Sequence, residues 1–299
     1  MKKIIIVSVI TLVINGLVFA GSGGRNMAEF LKLGVNARPV AMGEAFAAVA
    51  DDVHAIAWNP AGLAQVEERQ ASFSHLGYVA LIDYENLQYA GPFKNGTIAG
   101  DIKFLHTKDE RRDATGKKLG SFTNYSSALT VGYAQPLIED EVYHGLNLKI
   151  IHIKLGSESG ESVAIDYGLL WLASEKIKTG LVLQNLGLKM KIADDKASLP
   201  LNLKMGMSYQ ALEKLIVATD VNIPLPGEYS VSLGSEYIAA DFLKVRAGYK
   251  LREEENKLGG ADGLTTGFGF NMKNYNVDYA YVPFGEYEGT HRVTLRVNF

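Results

Sequence analysis

The residues able to do chemistry are few, and their spacing brings none of them into a working group. His54, His75, His106, His144, His152 and His291 stand singly, none at a metal-ligand spacing from a second histidine, and the chain has no cysteine to join them. Ser72, Ser74 and His75 place hydroxyls and a base on one short segment, but neighbours along one strand make no triad without partners from another strand. Gly116, Gly120 and Gly259-Gly260 sit in loop-like stretches without the strand-to-helix context of a phosphate cradle. His291, at the start of the last segment, reads as structural. The expectation is therefore no catalytic residue, no metal and no cofactor.

Charged residues are the other candidates, and their positions are ordered. Asp101, Lys103, Lys149, Asp166, Lys204, Asp220, Glu236, Lys244, Arg246, Asp278 and Arg296 alternate with Leu, Ile, Val and aromatic residues along short segments. Alternation gives a strand with one polar and one apolar face. About fourteen such segments are legible, near 69–77, 84–93, 96–107, 120–134, 143–155, 161–173, 176–186, 200–210, 214–223, 228–238, 242–251, 264–273, 275–283 and 290–299. Most span about ten residues, the length a tilted strand needs to cross a bilayer, whereas globular strands run nearer five or six. The connections sort by parity. Lys108–Leu119, Gly187–Leu199 and Arg252–Gly263 are long and polar, while Lys94-Asn95, Ser174-Glu175, Ala211–Glu213, Ala239–Asp241 and Asn274 are minimal, with Gln135–Val142 the exception. Long loops at one end and tight turns at the other belong to outer-membrane barrels. A cation facing hydrocarbon at the midplane costs about 2–4 kcal/mol, so the charged face must line the lumen. Both signs occur there, which predicts an ion-paired interior rather than a pore of one sign.

The chain ends agree. Lys2 and Lys3 precede an apolar run from Ile4 to Phe19, and Val18-Phe19-Ala20 precede Gly21, the pattern of a cleaved secretory signal peptide over 1–20. Residues 1–20 hold two lysines and no acid, so 28 basic side chains face 33 acidic ones in the remainder, a net charge of −5. That balance, with no basic cluster, excludes nucleic acid as a partner. At the other end Val293, Leu295, Val297 and Phe299 alternate with Arg292, Thr294, Arg296 and Asn298. A strand running flush to the terminus is what a barrel needs to close on its first strand, and the terminal Phe resembles the signal read by the barrel-assembly machinery. Outer-membrane lipid and that machinery are the expected partners, and the bacterial outer membrane the expected location.

Residues 21–66 are not strand-like. Ala41, Met42, Ala45 and Phe46 fall at helical spacing within Arg38 to Val49. Asp51 and Asp52 can cap a following turn, and Asn59 precedes Pro60 at a first helical position. The domain reading is a signal peptide (1–20), a short helical N-terminal hatch in the lumen (21–66) and an all-β, antiparallel transmembrane β-barrel (67–299).

Two motifs carry a family resemblance. Gly34-Val35-Asn36-Ala37-Arg38-Pro39-Val40-Ala41-Met42-Gly43-Glu44-Ala45-Phe46, with Ala50-Asp51-Asp52 and Trp58-Asn59-Pro60-Ala61-Gly62-Leu63, resembles the opening signature of the PorV/PorQ group of FadL-like outer-membrane barrels. Asp278-Tyr279-Ala280-Tyr281-Val282-Pro283-Phe284-Gly285 with Gly289-Thr290-His291-Arg292 is similar to the group's ending. The departures are Pro39, where a small residue often follows the arginine, and Ala57, where an aromatic often precedes the tryptophan. The resemblance implies fourteen strands, a lumenal hatch and one of two roles. FadL-like members carry a hydrophobic small molecule across the outer membrane. PorV-like members serve type IX secretion by binding secreted protein cargo or partner proteins. Phe30, Leu33, Met42, Phe46, Trp58, Asn59 and Pro60 are the hatch residues that would line a pocket or gate, with packing the commoner role for each. The terminal strand generates one test. Deleting Phe299 is expected to lower the folded fraction, read by heat-modifiable gel migration, more than it lowers the activity of what does fold, and normal assembly would contradict this.

Overall fold

A computed structural model describes residues 26–78, 82–252, 262–284 and 287–299. The expected signal peptide and Gly285 lie outside them, as do Gly259-Gly260 and most of the Arg252–Gly263 link.

Alternation along the segments produces the strands. They are β1 (Gln70–Tyr78), β2 (Ile82–Phe93), β3 (Gly96–Arg112), β4 (Lys118–Ile138), β5 (Val142–Leu155), β6 (Glu158–Leu172), β7 (Ile177–Gly187), β8 (Met190–Ile192), β9 (Asp195–Ala197), β10 (Leu201–Leu212), β11 (Leu215–Leu225), β12 (Ser230–Ala240), β13 (Leu243–Leu251), β14 (Leu264–Met272), β15 (Tyr275–Phe284) and β16 (Tyr287–Asn298). All but β8 and β9 form one closed barrel of fourteen antiparallel strands, each beside its sequence neighbour and β1 beside β16. Closure runs from Gln70 opposite Asn298 to Gly77 opposite His291, and the Phe299 amide donates to Arg69 O at 2.9 Å. Among the described residues the closed circle leaves no edge strand, the condition for backbone in hydrocarbon.

The two faces separate as the charges require. Leu87, Ile102, Leu129, Val131, Leu148, Ile150, Leu233, Val293 and Leu295 point outward and are exposed, forming the apolar belt. Asp101, Lys103, Lys149, Asp166, Lys204, Asp220, Glu236, Arg246 and Asp278 are buried toward the lumen. Ser72 and Ser74 point inward, Ser74 donating to or accepting from Thr294 at 2.8 Å, whereas His75 faces out beside Glu85. The strand itself thus separates those hydroxyls from that imidazole.

Two loop expectations change. Lys108–Leu119 is mostly strand: β3 and β4 run 17 and 21 residues and leave only 113–117 as a turn. Above the belt polar side chains are free to face water on both sides, so Lys118 pairs with Glu110 at 2.5 Å and strand pairing continues through a charged sequence. The Gln135–Val142 exception disappears because β4 continues to Ile138, leaving 139–141. Gly187–Leu199 contains the β8–β9 hairpin, whose Met190 is fully buried with Phe30, Tyr84, Ile151 and Leu199 in an apolar cluster at the long-link end of the lumen.

Residues 26–66 occupy the lumen as short pieces: 3-10 turns Glu29–Lys32 and Pro60–Gln65, and helices α1 (Ala37–Ala41) and α2 (Ala55–Trp58). The helical spacing from Ala41 to Phe46 is not kept as one helix, since the helix ends at Ala41. Gly43 and Glu44 take left-handed φ values of 65° and 69°, a conformation that ends a helix. Contact with the wall sets this turn, since a Cβ at Gly248 would strike the backbone of Met42 and Gly43. Gly180 is placed likewise against Ala47. Gly248→Val is expected to leave the barrel paired and to displace 42–46, costing about 1–3 kcal/mol. Urea unfolding in vesicles would register the cost and limited proteolysis the displacement; wild-type protection of 26–66 would contradict it.

Candidate functional site

Backbone groups of the lumenal segment that its short helices leave unsatisfied are met by the wall. Asp220 accepts the amides of Phe46 and Ala47 at 3.0 and 2.9 Å. Thr265 accepts from Gly43 N at 2.9 Å and donates to Ala41 O at 3.1 Å. Thr294 accepts from Ala37 N, Arg292 donates to Gly34 O, and Asn147 donates to Ile56 O. The segment caps itself at Asn59, whose Oδ1 accepts Ala61 N at 3.1 Å while its Nδ2 donates to Ala47 O at 2.7 Å. Asp52 Oδ1 accepts His54 N at 3.0 Å, the expected cap, whereas Asp51 turns to Arg38.

Arg38 is the hub. Its Nη1 donates to Asp51 at 2.5 Å and Asp52 at 2.7 Å, and its Nε and Nη2 grip both oxygens of Glu236 at 2.9 and 3.1 Å. Glu236 also accepts from Arg246 at 2.6 Å, Arg246 donates to Asp278 at 2.6 Å, and Arg296 donates to Asp52 at 2.6 Å. One alternating chain of charge thus joins β12, β13, β15 and β16 to the segment. Beside it Asn36 donates to Ser74, Asn86 and Gln88 at 3.1, 2.9 and 3.1 Å, and Asn86 and Gln88 donate to Asp101. Burial alone would raise the Asp52 carboxyl, but the electrostatic influence of His54, Arg296 and Arg38 outweighs it and holds the group far below the ordinary carboxylate range.

Toward the long-link end the packing opens into a cavity of about 330 Å³ between the segment and strands β3, β7 and β10 to β13. Of the residues expected at a pocket, Leu33 and Trp58 line it. Met42 and Phe46 are wholly buried, Phe46 edge-on to Trp58 at 6.2 Å. Phe30 packs edge-on to Tyr84 at 6.4 Å, and Pro60 lies against Gly145. Of the seven, Leu33 and Trp58 thus line the cavity, Phe30, Met42, Phe46 and Pro60 are packed, and Asn59 is a hydrogen-bonding cap. Sequence reading placed the wall charges on the lumen face and missed Arg38 as their common partner. The Glu236–Arg246 pairing had a signal, since these residues stand directly opposite on adjacent strands. Inward glycines such as Gly180 and Gly248 were also missed, their signal being glycine at lumen-face positions. His291 packs outward against Tyr281 and lies 2.6 Å from the Tyr279 hydroxyl.

No protein-family profile and no curated sequence matches the chain. Solved structures do. A deltaS2S3 mutant of the TodX monoaromatic hydrocarbon channel superposes with a TM-score of 0.57 at 13% identity, covering 89% of this chain and 98% of that one. A Pseudomonas aeruginosa FadL homologue gives 0.59 at 11% identity, covering 89% and 98%. The chain has the fold of a FadL-like barrel. With its closed wall and apolar belt, it is an outer-membrane type of barrel.

Arg38→Met removes the cation from a buried network and is expected to cost about 3–5 kcal/mol in urea unfolding; a change under 1 kcal/mol would contradict the hub. Because the Asp52 carboxyl is depressed in the folded state, its contribution is fully present above the unfolded value near 3.9 and falls away as pH drops below it. The wild type should therefore keep this stability to about pH 5 and lose it progressively as the pH falls below about 4. Asp52→Asn should be weaker at neutral pH and flatter over that interval.

Proposed function

We propose that the protein is a passive outer-membrane channel for a hydrophobic small molecule, exported by the signal peptide over 1–20, with residues 21–66 as its hatch. The observation that carries the reading is the position of the cavity. It lies in the long-link half of the lumen, the extracellular half by the usual placement of short turns, while tightly packed segment and wall fill the lumen below it. Leu31, Leu33, Val35 and the face of Trp58 give it apolar surface, next to the Phe30–Met190 cluster. A molecule entering from outside would meet this chamber before the hatch. The fold supports the same reading, being shared with a channel described as one for monoaromatic hydrocarbons. We also infer, on the two sequence motifs, that the chain lies on the PorV/PorQ side of FadL-like barrels.

The test is uptake of radiolabelled toluene and decane by a deletion strain and by the same strain carrying the gene. Slower entry on deletion, restored by the gene, is the expected result. Unchanged entry, with loss of surface-anchored proteins, would replace transport by the type IX secretion role.

A further inference from the structure

The cavity contains two lysines that the hydrophobic-passage reading does not use. Lys103 on β3 and Lys204 on β10 both line it, and they are only 7% and 9% exposed. Nearby wall charges are paired: Lys149 lies 2.8 Å from Asp166 and donates to Asn185, and Lys250 is bound to Glu44. Lys103 has no hydrogen bond or ion pair among the described residues. Lys204 has its ammonium 4.4 Å from the centre of the Trp58 ring and likewise no hydrogen-bonded acceptor among the described residues. An ammonium is strongly hydrated and offers three donors, so burying one without an acceptor is costly. Here two are buried beside one chamber, and the carboxylates whose charge they feel, Asp101 and Asp166 for Lys103 and Glu44 and Asp220 for Lys204, form no hydrogen bond or ion pair with them among the described residues. Around them the lining carries the Asn202 and Asn222 amides and the Ser230 hydroxyl, polar groups that gain nothing from an alkyl chain, while the Glu44 carboxylate is held by Lys250.

We propose that Lys103 and Lys204 form a binding site for a compact oxyanion, a carboxylate or phosphate on a small polar molecule, seated between the β3 and β10 walls and above Trp58. Each lysine supplies charge-assisted hydrogen bonds to the anion, which provides the acceptor that the wall carboxylates do not. The amide and hydroxyl groups hold the remainder of the guest, and the Trp58 ring forms part of the floor. The inference uses the cavity that the transport reading uses but does not depend on passage of a hydrophobic molecule, and the two are tested by different measurements.

The test is calorimetric titration of the full-length barrel in nanodiscs with inorganic phosphate, citrate, decanoate and decanol at fixed ionic strength. Trp58 emission would be followed in a Trp171→Phe background. Phosphate or citrate is expected to bind saturably and to shift Trp58 emission. Affinity should fall at least tenfold in Lys103→Met and in Lys204→Met, with folding checked by heat-modifiable migration. It should be kept within about threefold in Lys103→Arg and in Lys176→Met, a turn lysine away from the cavity. Failure of both compact anions to bind, equal binding by the methionine variants, or binding of decanoate alone would overturn the proposal. The last result would assign the lysines to the head of an amphiphile. None of these results bears on toluene or decane uptake, so failure here leaves that reading standing.

Discussion

Charge that cannot face lipid must find its opposite inside the tube, and Arg38 is where this requirement is met. The barrel wall points carboxylates from β12 and β15 and guanidinium groups from β13 and β16 into a space with little water. Within the wall Arg246 meets both carboxylates, while Arg296 takes its acid from the lumenal segment. Arg38 enters between them and joins Glu236 to Asp51 and Asp52, and Asp52 in turn receives Arg296. Removing one member leaves a buried partner uncompensated, so wall and lumenal segment stabilise each other as a unit. The segment has almost no regular structure of its own, and its few helical turns could not hold their shape in water.

Close approach of backbones is the second half of that arrangement. Where the segment meets the wall, inward side chains are reduced to glycine, as at Gly180 and Gly248, and the peptide units come into direct contact. Between these contacts stand residues that accept or donate to the segment's main chain, Asp220 and Thr265 among them. The wall therefore replaces the hydrogen bonds a longer helix would have made for itself. This is why a stretch with helical spacing as far as Phe46 folds as a turn after Ala41.

Much of the architecture was legible because lipid enforces a simple rule. Every strand crossing it must alternate, and β10 to β16 alternate cleanly enough to be bounded within a few residues. Beyond the belt the rule lapses. The charged stretch from Lys108 to Leu119 has no apolar face, and nothing in its composition separates a loop from a paired ribbon in water. The lumenal segment was legible by exclusion, as the part that does not alternate, and its caps at Asp52 and Asn59 were readable locally. Its partners were not. Arg38 and Glu236 are 198 residues apart, and only the closed circle of strands brings them together. The cavity was illegible for the same reason, since Leu33, Trp58, Lys103 and Lys204 share no local pattern.

The course of the lumenal segment has a bearing on how the molecule is put together. Met27 donates to Ser198 O in the link between β9 and β10, at the long-link mouth, whereas Val66 accepts from Thr97 at the foot of β3. The segment therefore runs lengthwise through the tube, held along its path by lateral ion pairs and interlocked glycines. Pushing it end-on through a finished cylinder would require each of those contacts to be made and broken in turn. Wrapping the sheet sideways around it requires none of that, and leaves the β1–β16 seam as the final clasp. The seam that seals the wall is then also what traps the contents, and the chain is better pictured as a scroll rolled around its core than as a pipe later stoppered.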